Sequence, residues 1–245
     1  MARSASPGAY PLPPGGMMPP SVRSLLAASA AALLVSCVPV GAYYHAVRVD
    51  LAPPGMSGEA WMHALAAHQQ ATLEGYTRST LLTVIDFSRP STERRLWVVD
   101  VGTGEVLMHE HVAHAVRSGG TWATSFSNDR GSYRTSLGTF ITANTYHGIR
   151  GLSLRLHGIE PGINDNAHTR GIVVHGTPGV SPLRAAEGRL GRTEGCPAVS
   201  VEAARELVPL IAHGTVLFAW YPEPGLLMRS AFLDRGAVAL RLSEG

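Results

Sequence analysis

The chain has 245 residues, 45% of them hydrophobic, and 20 basic against 18 acidic residues give a formal charge of +2. That is enough apolar material for one sizeable core, at most with a small appendage. The basic residues are arginines that form no long run and no interleaving with aromatics, which argues against a nucleic-acid partner.

Residues 1–20 are rich in Pro, Gly, Ser and Met and cannot form a core. Arg23 then leads into the short apolar stretch 24–36, the pattern of a secretory signal. The stretch is shorter than the roughly 20 residues a bilayer span needs. The segment before Arg23 is long for such a signal, and Met17 or Met18 makes a more ordinary start. The run ends Leu34-Val35-Ser36-Cys37, which resembles a lipobox and implies that Cys37 becomes the lipidated first residue of the mature chain. The alternative is an ordinary cleaved signal with an incidental cysteine. By resemblance to Gram-negative lipoproteins, Val38 rather than Asp after Cys37 implies outer-membrane sorting, so the expectation is an exported, periplasmic, outer-membrane-anchored lipoprotein that meets the membrane only through its anchor. Cys196 is then left as a lone thiol in an oxidising compartment, which fits either a reactive group or a buried inert one.

Residues 38–56 are punctuated by Pro and Gly and read as a tether. Ser57 is a candidate N-cap for a helix over 57–74, with Trp61, Leu65 and Leu73 near one face and Gly75 as its stop. From residue 80 the pattern turns to strands: 81–87, then 94–101 and 105–114 as a hairpin around Gly102-Thr103-Gly104. Residues 117–136 read as a long loop of the kind that carries function. Strands follow at 138–146 and 152–156, and a short buried one over 171–176 ends at His175. A loop spans 177–199, and Ser200 caps a helix to 212 with Leu207, Leu210 and Ile211 on its apolar side. A last strand covers 215–221, and residues from 222 onward read as peripheral. The order implies a mainly β, single domain. The expected divisions are a signal over 1–37, tether and N-terminal helix over 38–78, the main domain over 79–222 and a C-terminal extension over 223–245.

His175 at a strand end and Cys196 in Gly195-Cys196-Pro197 have a chemical logic together. A thiol attacks as thiolate and needs a base to take its proton. The amides of Gly195 and Cys196 are candidates for an oxyanion hole, and the carbonyl of Gly176 is a candidate to orient the imidazole. On spacing alone, a strand-end histidine bonded to a loop and an inert cysteine stand level with that reading.

The residues His175-Gly176, then Thr193-Glu194-Gly195-Cys196-Pro197-Ala198-Val199, resemble the murein L,D-transpeptidase catalytic domain family, whose hallmark is a histidine, a variable loop and Ser/Thr-x-Gly-Cys. The resemblance covers about residues 81–222 and includes the stretches 84–96, 123–128, 131–133, 136–138, 154–156 and 164–167. It implies a β-sandwich or barrel-like domain with a helix after the cysteine and a short N-terminal helix. It also implies a cysteine acyltransferase, inhibited by carbapenems, in which Cys196 attacks the L-centre carbonyl of diaminopimelate in a peptidoglycan tetrapeptide stem. Terminal D-Ala leaves, and an amine from diaminopimelate, a protein lysine or a D-amino acid resolves the thioester. Neither cofactor nor metal is required. Glu194 stands where the commoner motif has histidine.

The same resemblance makes Thr193, Arg170, Asn166, Ser127, Asn128, Ser132 and Tyr133 the candidates for binding an anionic stem, with Arg170 suited to a carboxylate and Arg117 and Arg134 as weaker ones. Competing readings are a Cys-His L,D-carboxypeptidase or hydrolase on the same scaffold and a non-catalytic peptidoglycan-binding lipoprotein. His109, His111 and His114 lie close together but match no zinc spacing, and read as exposed residues at a strand edge.

Overall fold

The computed structural model describes residues 52–233. The signal-like stretch, Cys37, most of the tether and the last twelve residues lie outside the described residues.

Ser57 accepts the Ala60 amide at 3.1 Å and starts α1 (Gly58–Leu73). Gly75, at φ +77°, ends it in the left-handed region that favours glycine. Small residues at Ala60, Ala64, Ala67 and Ala71 let the helix lie close on the sheet, with Trp61 and Leu65 buried in the same core. Leu73, expected on that face, is instead 52% exposed, because the helix has turned it outward by its last turn.

Eight strands form one sheet: β1 (Leu81–Asp86), β2 (Arg94–Asp100), β3 (Glu105–His111), β4 (Gly138–Gly148), β5 (Gly151–Gly158), β6 (Val173–Gly176), β7 (Ala198–Val199) and β8 (Val216–Trp220). Their order is β3-β2-β1-β8-β4-β5-β6-β7. The last strand in sequence is thus central: β8 runs parallel to β1 and antiparallel to β4. Its continuous apolar run Val-Leu-Phe-Ala-Trp follows from burial on both faces. Ala113, just past β3, bridges Ala198 on β7, so the first and last strands meet and the sheet nearly closes into a barrel.

The loop expected over 177–199 contains a short helix, α2 (Pro182–Ala186), capped by Ser181, and β7. Helix α3 (Val201–Ile211) begins at Ser200, whose hydroxyl accepts the Ala203 amide at 3.0 Å. Leu207, Val208 and Ile211 are buried, each stabilising the fold by about 1.5–3 kcal/mol, while Leu210 is half-buried.

Residues 222–233 are not peripheral. Helix α4 (Pro224–Arg229) and the turn after it bury Leu226, Phe232 and Leu233 in the main core. Ser230 donates to buried Glu160, whose other oxygen accepts the Thr139 amide at 2.6 Å. Asn164 completes this knot by donating to the carbonyls of Leu137 and Thr139. Gly138 is obligatory here, since a Cβ would stand 2.7 Å from Glu160 Oε1.

Candidate active site

The barrel seam brings the two chemically suggestive residues together. β6 carries His175, and its parallel pairing with β7 sets His175 opposite Ala198, two residues past Cys196. Both side chains line one cavity of ≈ 300 Å³. Its walls come from the β4–β5 turn (Tyr146, Gly148, Ile149, Arg150), from Ser153, from the lead into β6 (Arg170–Val173), and from Thr193 and Glu194.

His175 is buried, and its Nδ1 lies 2.9 Å from the carbonyl oxygen of Gly176. A carbonyl only accepts, so Nδ1 carries the proton and Nε2 keeps its lone pair. Burial holds the imidazole below its ordinary pKa; the Gly176 bond opposes this and Arg150 adds to it. Gly176 is itself confined, because a Cβ would sit 3.0 Å from both Ala204 Cβ and Val201 Cα on α3.

Cys196 is partly exposed and free, with Sγ 3.7 Å from the Gly171 carbonyl. Burial pushes its thiol pKa up; the Val173 amide and the charges of Arg150 and Arg170 pull it down, and Glu194 pushes it up. The two side chains thus line one cavity, the thiol held above and the imidazole below its ordinary pKa, each chiefly by burial.

Gly195 is at φ +145°, and a Cβ there would meet Ile172 Cδ1 at 2.6 Å, so only glycine fits before the cysteine. Its amide points to Thr193 Oγ1 at 3.3 Å. Of the two amides expected to serve an oxyanion, that of Gly195 is thus engaged by Thr193. Thr193 Oγ1 in turn donates to the Cys196 carbonyl at 2.7 Å, so this hydroxyl braces the turn before the cysteine and its proton is already committed.

Arg170 lines the cavity, but Nη1 donates to Ser127 O at 2.7 Å and Ser136 Oγ at 2.5 Å, and Nη2 to Arg134 O at 2.6 Å and Ser132 Oγ at 3.2 Å. The expected carboxylate binder is a clamp on the long loop. The other polar candidates lie outside the cavity's lining. Asn166 bonds Asn128 through its amide and its side chain, and Asn128 donates to Asp165. Ser127 and Asn128 line a separate cavity of ≈ 220 Å³. Tyr133, at φ +54°, lies beneath the Arg117 guanidinium at 5.4 Å. Arg134 serves through its carbonyl.

Two groups of residues escaped the sequence reading. Arg150 occupies a Gly-Ile-Arg-Gly turn, which marks a hairpin tip and gives no sign that the tip overhangs a nucleophile. Arg95 and His114 are buried: Arg95 Nη2 donates to His114 Nδ1 at 2.8 Å, and His114 Nε2 reaches Gly119 O at 3.3 Å. His114 is thus core and not strand-edge surface, while His109 stacks on Trp97 and His111 bonds Thr92 O. Among the described residues, no group of three or more His, Cys, Asp or Glu could hold a metal ion.

Residues 53–220 match the family described as L,D-transpeptidase catalytic domain. No curated protein matches. Among solved structures, an L,D-transpeptidase from Mycobacterium smegmatis is 14% identical, with 58% of this chain and 59% of that one covered and a TM-score of 0.37. The helical cell shape determining protein Pgp2 (K307A mutant) from Campylobacter jejuni is 11% identical, with 75% and 62% covered and a TM-score of 0.42. Bd1075 of Bdellovibrio bacteriovorus is 14% identical, with 68% and 56% covered and a TM-score of 0.39. The chain spans about three-fifths of the length of these structures.

Proposed function

As this chain belongs to the L,D-transpeptidase catalytic domain family, we propose that it is a cysteine acyltransferase that cuts and rejoins stem peptides of peptidoglycan at the L-centre of a diamino acid. One observation carries this reading: Cys196 and His175 face the same cavity, and the Gly176 carbonyl holds the imidazole so that Nε2 is the free base.

In this reading Cys196 Sγ attacks the carbonyl carbon joining the third stem residue to terminal D-Ala, and its proton passes to His175 Nε2. The Cys196 amide donates to the developing oxyanion. The C–N bond breaks, D-Ala leaves with the proton from His175, and a thioester remains on Cys196. An incoming amine attacks the thioester carbon and gives a proton to His175, and Sγ leaves to be reprotonated. No residue other than the dyad has to change charge. The signal-like stretch and Cys37 support export and lipid anchoring as part of the same proposal.

The test is muropeptide analysis after incubation of the purified full chain with tetrapeptide-rich sacculi. Loss of tetrapeptide stems with new cross-links between third residues is expected, and Cys196→Ala should abolish it. Tripeptide stems without cross-links would place water as the acceptor. Unchanged stems, together with no carbapenem mass adduct on Cys196, would show a binding protein instead.

A further inference from the structure

The long loop 117–136 is gripped by arginines at both of its ends. Arg170 holds the later part through the carbonyls of Ser127 and Arg134, at 2.7 and 2.6 Å. Arg192 holds the entrance. It is half-buried and stands outside the lining of the Cys196 cavity, and its guanidinium meets four main-chain carbonyls. Nε donates to Gly119 O at 3.3 Å and Nη2 to Gly120 O, both in the long loop. Nη1 donates to Leu190 O at 2.8 Å and to Gly191 O at 3.1 Å, both on the approach to Thr193.

Gly119 O takes a second donor, His114 Nε2 at 3.3 Å. Arg95 Nη2 donates to His114 Nδ1 at 2.8 Å, which leaves the imidazole proton on Nε2. The main chain of the same histidine accepts Thr193 N at 3.1 Å, and Val116 N donates to Thr193 O at 2.8 Å. These bonds close a ring around the residue that braces the Cys196 turn. The loop is shaped to take part: Gly119 is at φ +138°, and a Cβ there would stand 2.2 Å from Trp122 O. Bonding two carbonyls of the loop and two of the approach at once needs the planar fork of a guanidinium, which an ammonium lacks. The charges that bear on the Cys196 thiol are those of Arg150, Arg170 and Glu194, so Arg192 is placed to act through geometry.

We propose that Arg192 is a positioning residue for acylation of Cys196: its fork pins the entrance of the long loop to the approach to Thr193, and so fixes the turn from which Sγ attacks. This rests on the reading of Cys196 as the acylated nucleophile. It adds that the loop and the reactive turn must be held as one piece for attack, although the residue joining them touches neither substrate nor thiol.

Carbapenem acylation of Cys196 in the full chain, followed by mass against inhibitor concentration, tests this in wild type, Arg192→Lys and Arg192→Gln. The rate at saturation should fall roughly tenfold or more in both variants, with the half-saturating concentration nearly unchanged. That split reports a cavity still formed around a misplaced nucleophile. Lysine keeps the charge and loses the fork, so it should fail as glutamine does. The pH profile of Cys196 alkylation by iodoacetamide should be the same in all three chains. Arg192→Lys combined with Thr193→Val should cost little more than either alone, because both loosen one turn. The proposal is overturned if Arg192→Lys acylates as fast as wild type, if half-saturation rises, if the alkylation profile shifts, or if the two substitutions add. Wild type that is not acylated and leaves sacculi unchanged would remove the acyl-transfer reading and this proposal with it. Acylated wild type matched by Arg192→Lys would remove this proposal alone.

Discussion

Thr193 Oγ1 donates to the carbonyl of Cys196 at 2.7 Å while accepting the amide of Gly195 at 3.3 Å. One hydroxyl therefore sets both peptide planes beside the nucleophile. Thr193→Val keeps the shape and removes both bonds, leaving buried polar groups unpaired. We expect kcat to fall by about tenfold or more, at about 1.4 kcal/mol per decade, with stem affinity nearly unchanged. Thr193→Ser should restore most of it. Equal kinetics for valine and threonine would remove the brace from the mechanism.

The resting dyad is neutral on both sides, with His175 below and Cys196 above their ordinary values, each chiefly through burial. Acylation by a carbapenem should therefore hold a broad plateau with its acid limb below the usual imidazole range. Arg150→Gln removes a charge that disfavours imidazolium, so it should move that limb to higher pH. Alkylation of Cys196 by iodoacetamide should be slow at neutral pH and rise only above the usual thiol range. Fast alkylation at neutral pH would indicate a preformed thiolate–imidazolium pair.

Stability should fall in mild acid. Burial lowers the pKa of His68 to about 4, and burial followed by the charges of Arg95 and Arg192 lowers that of His114 to about 3. In the unfolded chain both take up a proton as pH falls through about 6.5. Between there and the folded values the unfolded state binds more protons, so stability drops as pH drops. The combined loss is on the order of several kcal/mol by the lower end of that window. Urea midpoints should decline steadily from about pH 7 to about pH 4, and His114→Gln should flatten part of the slope. A level midpoint across that range would contradict it.

All 20 basic residues of the chain are arginine and none is lysine. Guanidinium is not a nucleophile at neutral pH, so a thioester on Cys196 meets no side-chain amine on its own chain. Mass analysis after turnover should find acyl groups only on Cys196. Arg150→Lys puts an amine at the cavity wall and should yield a hydroxylamine-resistant adduct on residue 150. Its absence under conditions where Cys196 is acylated would mean that the turn holds this side chain away from the thioester carbon.

The strands over 81–111 and 138–158 were legible because long apolar or alternating runs pair locally, as in the β2–β3 and β4–β5 hairpins. β7 was not, because two residues carry no period and become a strand only through β6 and Ala113. The C-terminal Pro-Glu-Pro-Gly looked like an end, yet Phe232 and Leu233 fill the core beyond it. Cys196 and His175 were visible as residue types with a motif. Their neighbours were harder, because polar loop residues such as Asn128, Asn166 and Arg170 look alike whether they await a ligand or saturate one another. Arg95 sits in an apolar strand, and its place in the core became visible only with its partners, Val112 O and His114.

The contacts that join the two ends of the sheet also flank the nucleophile in sequence: Ala113 with Ala198 and Ala115 with Thr193. A local opening there would detach the reactive turn and unzip the barrel in one event. The amide of Ala113, bonded to Ala198 O at 2.8 Å, should then exchange with deuterium at the rate of the slowest core protons, making the site part of the last cooperative unit to unfold.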